Sequence, residues 1–144
     1  MNEIDYQIHS REKYADPSPY PTVKVARPNI CYAYLLMDDY AGCVSEFTAI
    51  GQYLYHHFFF KDIDKDLGKM VENVSITEML HMEILAEVIK KLGGNPTIRG
   101  CYTTMGNFWR GSFIYYGTNL CEQLKADIDA EYGAIESYIN HINM

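Results

Sequence analysis

The sequence predicts an all-α protein, an antiparallel helical bundle whose second and third helices are joined by a long crossover. Two observations carry this. Apolar residues recur at three- and four-residue steps through three long stretches, the spacing of one helical face. Prolines, a glycine pair and short charged runs separate those stretches.

Residues 1–29 read as an arm. Pro17, Pro19, Pro21 and Pro28 block regular helix and favour extended backbone, so the arm wraps a neighbour or lies along its own bundle. The helical domain follows, over residues 30–144. Its first helix is expected over about 30–60, with Tyr32, Leu35, Asp39, Cys43, Glu46, Ile50, Tyr53, His57 and Phe60 in one stripe and no proline. The run KDIDKD makes a solvated turn. A second helix over about 66–92 carries Leu67, Met70, Val74, Glu78, His81, Leu85, Val88 and Leu92, and Gly93, Gly94 and Pro96 stop it. Residues 95–118 lack a long period and are rich in Gly, Thr and aromatics. They form the crossover, with Phe108, Trp109, Phe113, Tyr115 and Tyr116 expected to cover the bundle. The third helix, about 119–143, can be capped by Thr118 or Asn119. Its stripe is Leu120, Leu124, Ile128, Glu131, Ile135, Tyr138 and Ile142.

The chain of 144 residues suits one domain with a real core. Its 12 Lys and Arg are scattered against 19 acids, for a net charge of −7, and make no basic patch; nucleic acid is not expected as a partner. No charged-then-apolar leader and no long apolar run suggest export or a membrane span, so a cytoplasmic protein is expected. Cys31, Cys43, Cys101 and Cys121 show no C-x-x-C spacing, which excludes a zinc ribbon or rubredoxin-type iron site built from them.

Four polar residues fall in unexpected places. Glu46, Glu78, His81 and Glu131 each occupy a slot in the apolar stripe of a helix. Buried carboxylates are costly unless paired or bound to metal, so three in one core imply cations or raised pKa values. If the hairpin turn is centred near Asp62, Glu46 and Glu78 stand equally far from it and reach the same height. Glu78 and His81, three residues apart, share a face. Glu131 lies near the middle of the third helix.

This pattern resembles the ferritin-like di-metal carboxylate proteins, which take one Glu from each of two helices and Glu-x-x-His from each of the other two. Glu46 matches the lone Glu of the first helix, Glu78-Met79-Leu80-His81 the first Glu-x-x-His, and Glu131 the lone Glu of the third. The segments SEFTAIGQYL, TEMLHMEIL and DIDAEYGAIESY look most like those of the manganese-catalase-like and rubrerythrin-like branches. The similarity covers about residues 30–144. It implies one or two ions of manganese or iron, and a small oxidant, peroxide or dioxygen, as substrate. A second Glu-x-x-His is missing, because Ala134 and Ile139 stand three residues after Glu131 and Glu136. The fourth helix is thus absent or supplied by a partner, and a homo-oligomer is expected. Without an internal rubredoxin site, catalase-like disproportionation fits better than a peroxidase needing electrons. The alternatives are a structural or assembly protein of the spore-coat type and, more weakly, iron storage.

Lesser candidates have bland alternatives. Tyr53, two turns after Glu46, is read as a core tyrosine that could serve a ligand or a redox step. His57 is read as packing, His56 as a surface residue and Asp39 as a polar bundle end. His141 is a conceivable substitute ligand, about a quadrant out of phase with Glu131.

Overall fold

The computed structural model describes residues 16–144; the first half of the arm lies outside the described residues. Residues 16–29 carry no helix, as their prolines demand. Four α-helices follow: α1 Ile30–Ala41, α2 Glu46–Ile63, α3 Lys65–Lys91 and α4 Leu120–Ile142. A short 3-10 helix, Gly111–Phe113, interrupts the crossover. The fold is all-α, as expected, and among the described residues there is no fourth bundle helix beyond α4.

The expected single helix over 30–60 is broken in two. The backbone at Gly42 leaves the helix, while its N–H still bonds the Asp38 carbonyl at 2.9 Å. The crossover fills the break: Thr103 Oγ1 would stand 2.5 Å from a Cβ at Gly42, so only glycine fits, and the same oxygen accepts the Cys43 N–H at 3.2 Å. Ser45 then restarts the helix by accepting the Thr48 N–H at 3.2 Å. The apolar period runs through this break without a phase change, which hides it from periodicity.

Asp64 ends α2 and caps α3 by accepting the N–H groups of Asp66 and Leu67. Gly68 permits the tight return, because a Cβ there would lie 2.6 Å from Lys61 Cα. Both α1 and α2 run antiparallel to α3. At one end Ala33, Met37 and Tyr40 meet Leu85, Ile89 and Leu92. At the other Tyr53 and Phe60 meet Val71. Each such buried side chain contributes roughly 1.5–3 kcal/mol through lost apolar exposure. Gly93, in the left-handed region at φ 93°, stops α3 where the sequence predicted. Asn29 N–H bonds the Leu92 carbonyl at 3.0 Å, which closes the end of the hairpin against the arm.

Helix α4 docks differently from its expected stripe. Only Gln123 and Asp127 of α4 are buried. Ile128, Ile135 and Ile142 are 55%, 54% and 81% exposed. The helix is held to α1 and α2 by polar rungs. Asp39 accepts from Ser137 Oγ at 2.7 Å and pairs with His141 Nδ1 at 2.6 Å. Tyr138 donates to Glu46, and Tyr53 donates to Glu131. Gln52 and His56 both reach Asp127 at 2.9 Å. Residue numbers rise on one side and fall on the other, so α4 is antiparallel to α2. Asp39 is therefore a buried anchor rather than a polar bundle end. His56 is fully buried rather than on the surface, and its Nε2 also meets the Tyr115 carbonyl at 3.1 Å. His57 packs as expected, with Nδ1 2.8 Å from the Gly68 carbonyl. Of the five aromatics expected to cover the bundle, Trp109 and Phe113 do so, with Trp109 Nε1 donating to Thr48 at 2.8 Å and its ring meeting Phe47 edge-on, while Phe108 and Tyr116 are largely exposed.

Candidate metal centre

Glu46 opens α2 and is buried by α3 and α4 around it. Glu78 and His81 project one helical turn apart from the middle of α3. One ligand atom from each of these three residues lies within 4.8 Å of the others. The spacing argument thus meets its geometric requirement: the hairpin brings Glu46 and Glu78 to one height. His81 Nδ1 stands 2.8 Å from Glu78 Oε2 and 3.7 Å from Glu46 Oε2. The Glu46 and Glu78 side chains are 9% and 10% exposed, while His81 is 39% exposed and forms the open side.

Glu131 is brought to the same cavity but not into the group of three. A cavity of about 220 Å³ is lined by Glu46, Glu78, His81 and Glu131 together with Tyr138, Gln52, Ala130 and Ala134. Within it Glu131 is exposed and accepts the Tyr53 hydroxyl. Tyr53, a buried tyrosine with a satisfied hydroxyl, so meets the bland expectation while touching a candidate ligand. His141 is spent on Asp39, well along α4, and does not join the group.

The electrostatics follow from this burial. Burial pushes Glu78 up to about 8; the bond with His81 opposes the rise and the neighbouring Glu46 adds to it. Burial also opposes ionisation of Glu46, but hydrogen bonds from His81, Glu78 and Tyr138 outweigh it and hold that carboxyl below its usual range. Bonds to Glu46 and then Glu78 raise His81 to about 10 against the opposing effect of burial. Tyr53 and Tyr138 are both held far above the ordinary phenol range, first by burial and then by Glu131 and Glu46 respectively. They remain neutral donors.

Among the described residues, no Lys or Arg lines this cavity. Among the described residues at this cavity, the only positive charge available to the carboxylates is a proton on His81, so the layer as described is short of cationic charge. Carboxylate oxygens with one imidazole form a donor set that suits divalent manganese or iron. A cation here would replace the protons that Glu78 and His81 otherwise hold. The residues therefore fit such an ion.

Tyr138 was not among the expected site residues. Its register was legible: Glu46 precedes Tyr53 by seven residues and Glu131 precedes Tyr138 by seven. Two turns separate the members of each pair, so both members share a face. In an antiparallel pair each tyrosine then reaches the other helix's glutamate.

Comparison with known proteins agrees with this geometry. A family model described as manganese containing catalase matches residues 20–103. Over 73 residues the chain is 38% identical to a probable manganese catalase of Clostridium acetobutylicum, covering 51% of this chain and 32% of that protein. Over 94 residues it is 32% identical to a bacterioferritin of Desulfovibrio desulfuricans, covering 65% of this chain and 47% of that protein. The crystal structure of a manganese catalase from Anabaena PCC7120 superposes with a TM-score of 0.78 at 23% identity, covering 92% of this chain and 66% of that one. The chain thus spans less than half the length of the curated relatives and about two thirds of the solved structure. That likeness extends beyond the matched family segment to α4, and the ferritin-like bundle expected from the sequence is the fold observed. By the match over residues 20–103, this chain belongs to the manganese-containing catalase family.

Proposed function

We propose that this chain is a metal-binding oxidoreductase of the ferritin-like class that disproportionates hydrogen peroxide at a manganese or iron centre. The observation that carries the reading is the layer of Glu46, Glu78 and His81, with no Lys or Arg among the described residues lining its cavity. In this reading Glu46, Glu78 and His81 would hold a first ion, and Glu131, at the same cavity, would serve as a further carboxylate ligand. A bound ion supplies the redox step by moving between two oxidation states. The chain's own residues do the rest. Tyr138 fixes one oxygen of Glu46 and leaves Oε2 facing the centre. Tyr53 holds Glu131 in reach. Two peroxides yield two waters and one dioxygen, so no external electron donor enters.

The second Glu-x-x-His of the wider class lies on a helix outside these 144 residues in this proposal, and the protein works as a homo-oligomer in the cytoplasm. Exposed Ile128, Tyr132, Ile135 and Ile139 on α4 support such docking. The same face favours a second reading, a structural or assembly component of the spore-coat type. Iron storage is the weaker alternative, supported by the bacterioferritin similarity.

Metal analysis of protein purified without chelator tests the proposal. About two Mn or Fe per chain, lost in Glu78→Ala, is the expected result for a completed site. Folded, metal-free protein that also fails to take up added Mn(II) or Fe(II) would overturn the enzyme reading in favour of the structural one.

A further inference from the structure

The arm leads to an inference that rests on the metal-centre reading and deepens it. Residues 23–29 are tied down: Lys91 Nζ donates to the Val23 carbonyl at 2.6 Å, Val25 packs on the α1–α3 core, and Asn29 bonds Leu92. Ahead of this anchor, Asp16–Pro21 alternates proline with other residues. Proline restricts itself and its predecessor to extended backbone, so the strap is stiff and loses little entropy when laid against the bundle. Its Asp16 carboxylate accepts the Ser18 N–H at 2.8 Å, a local bond within the strap.

The strap lies at the centre. A cavity of about 530 Å³ has the strap, including Tyr20, as one wall, and Thr77, Glu78, His81, Tyr53 and Glu131 as the other. The Tyr20 ring meets the His81 ring edge-on, with centroids 5.9 Å apart and planes at 76°. His81 is the most exposed of the three grouped ligands, and Tyr20 stands on it. The contact is ring to ring, and no bond from the Tyr20 hydroxyl to a candidate ligand accompanies it.

We propose that Tyr20 is a specificity-determining gate, whose ring passes peroxide-sized solutes to the centre and excludes bulky ones. The cavity behind the strap has ample room for a small oxidant. On the strap side, a large chelator or organic hydroperoxide must displace the ring first, and the anchor at Val23–Asn29 returns the strap after each opening.

The test compares Tyr20→Ala and Tyr20→Phe with wild type in the full chain. All three are loaded with Mn(II), and metal loss is followed to EDTA and, separately, to a chelator immobilised on resin beads. Tyr20→Ala is expected to release metal to EDTA on the order of tenfold faster, as loss of a local closing contact allows. Tyr20→Phe should behave like wild type, because the ring gates and the hydroxyl does not. The bead-bound chelator takes up only freely dissociated metal, so its rate reads intrinsic release and should be equal in all three. Equal EDTA rates in Tyr20→Ala and wild type, or Tyr20→Phe matching Tyr20→Ala, would overturn the gate. A faster rate to both chelators alike would also overturn it, by showing weakened ligation instead of access.

If no variant binds metal, the metal-centre reading fails on its own, and the gate is still read in metal-free protein. Diethyl pyrocarbonate modification of His81, mapped by mass spectrometry, should then be several-fold faster in Tyr20→Ala than in Tyr20→Phe. Equal modification rates would refute the gate. Unchanged thermal melting of both variants confirms that the fold is intact.

Discussion

Replacing Asp127 by alanine tests whether polar rungs hold α4 to the bundle. The Asp127 side chain is 7% exposed and the His56 side chain is fully buried, with Nδ1 2.9 Å from the carboxylate. His56 Nε2 faces the Tyr115 carbonyl at 3.1 Å, so both ring nitrogens look at oxygen. Gln52 spends its Nε2 on the same carboxylate and its Oε1 on the Tyr115 N–H. Asp127→Ala therefore strands an imidazole nitrogen and an amide N–H in the interior at once. Breaking a buried pair by removing one partner costs about 3–5 kcal/mol. For a chain of this size each kcal/mol lowers Tm by roughly 2–4 °C, so the fall should be on the order of 10 °C. The assay is thermal and urea unfolding of metal-free protein by circular dichroism. The double replacement His56→Leu with Asp127→Leu should recover part of the loss, because the imidazole is then removed with its partner while the Gln52 Nε2–H is left unpaired. A drop of less than about 2 °C in Asp127→Ala would refute the view that this rung anchors α4.

Four further expectations follow from named contacts. Tyr138→Phe removes the donor that fixes Glu46; it should weaken Mn(II) binding about tenfold while leaving the fold intact, read by metal titration. Gly68→Ala sets a Cβ 2.7 Å from Lys61 N, so the hairpin must splay and stability should fall by about 1–3 kcal/mol in urea unfolding. Gln123 is fully buried with neither amide atom bonded to the protein; Gln123→Met should raise Tm by a few degrees, equivalent to roughly 1 kcal/mol. The metal-free protein should lose stability as pH rises from 6.5 to 9.5. His81, raised from 6.5 to about 10, stabilises fully below 6.5 and loses that contribution as pH approaches 10, while Glu78, raised from 4.5 to about 8, loses its own through 8. Glu46, lowered, titrates only in acid and does not offset this. Rising stability over that range in urea unfolding would contradict the protonation scheme.

The sequence by itself determined the all-α class, the antiparallel α2–α3 hairpin and the meeting of Glu46, Glu78 and His81. These depend on local period and on distance from one turn, and both can be counted along the chain. It also placed the Gly93 stop and narrowed the α4 cap to Thr118 or Asn119, of which the structure uses Asn119, because backbone chemistry sets such ends. The break at Gly42–Ser45 was decided only by the tertiary structure, since Thr103, sixty residues away, fills it. So was the face that α4 buries. Hydrophobicity favoured Ile128 and Ile135, but Asp39, Glu46, Gln52 and His56 on the facing helices select hydrogen-bonding partners. A buried polar group must be matched to its partner, and a partner on another helix is not visible in either helix's own periodicity. The same reason hid the burial of His56, the anchoring of His141 and the position of Tyr20 over His81. Each rests on a contact between segments far apart in sequence, which only the packed chain brings together.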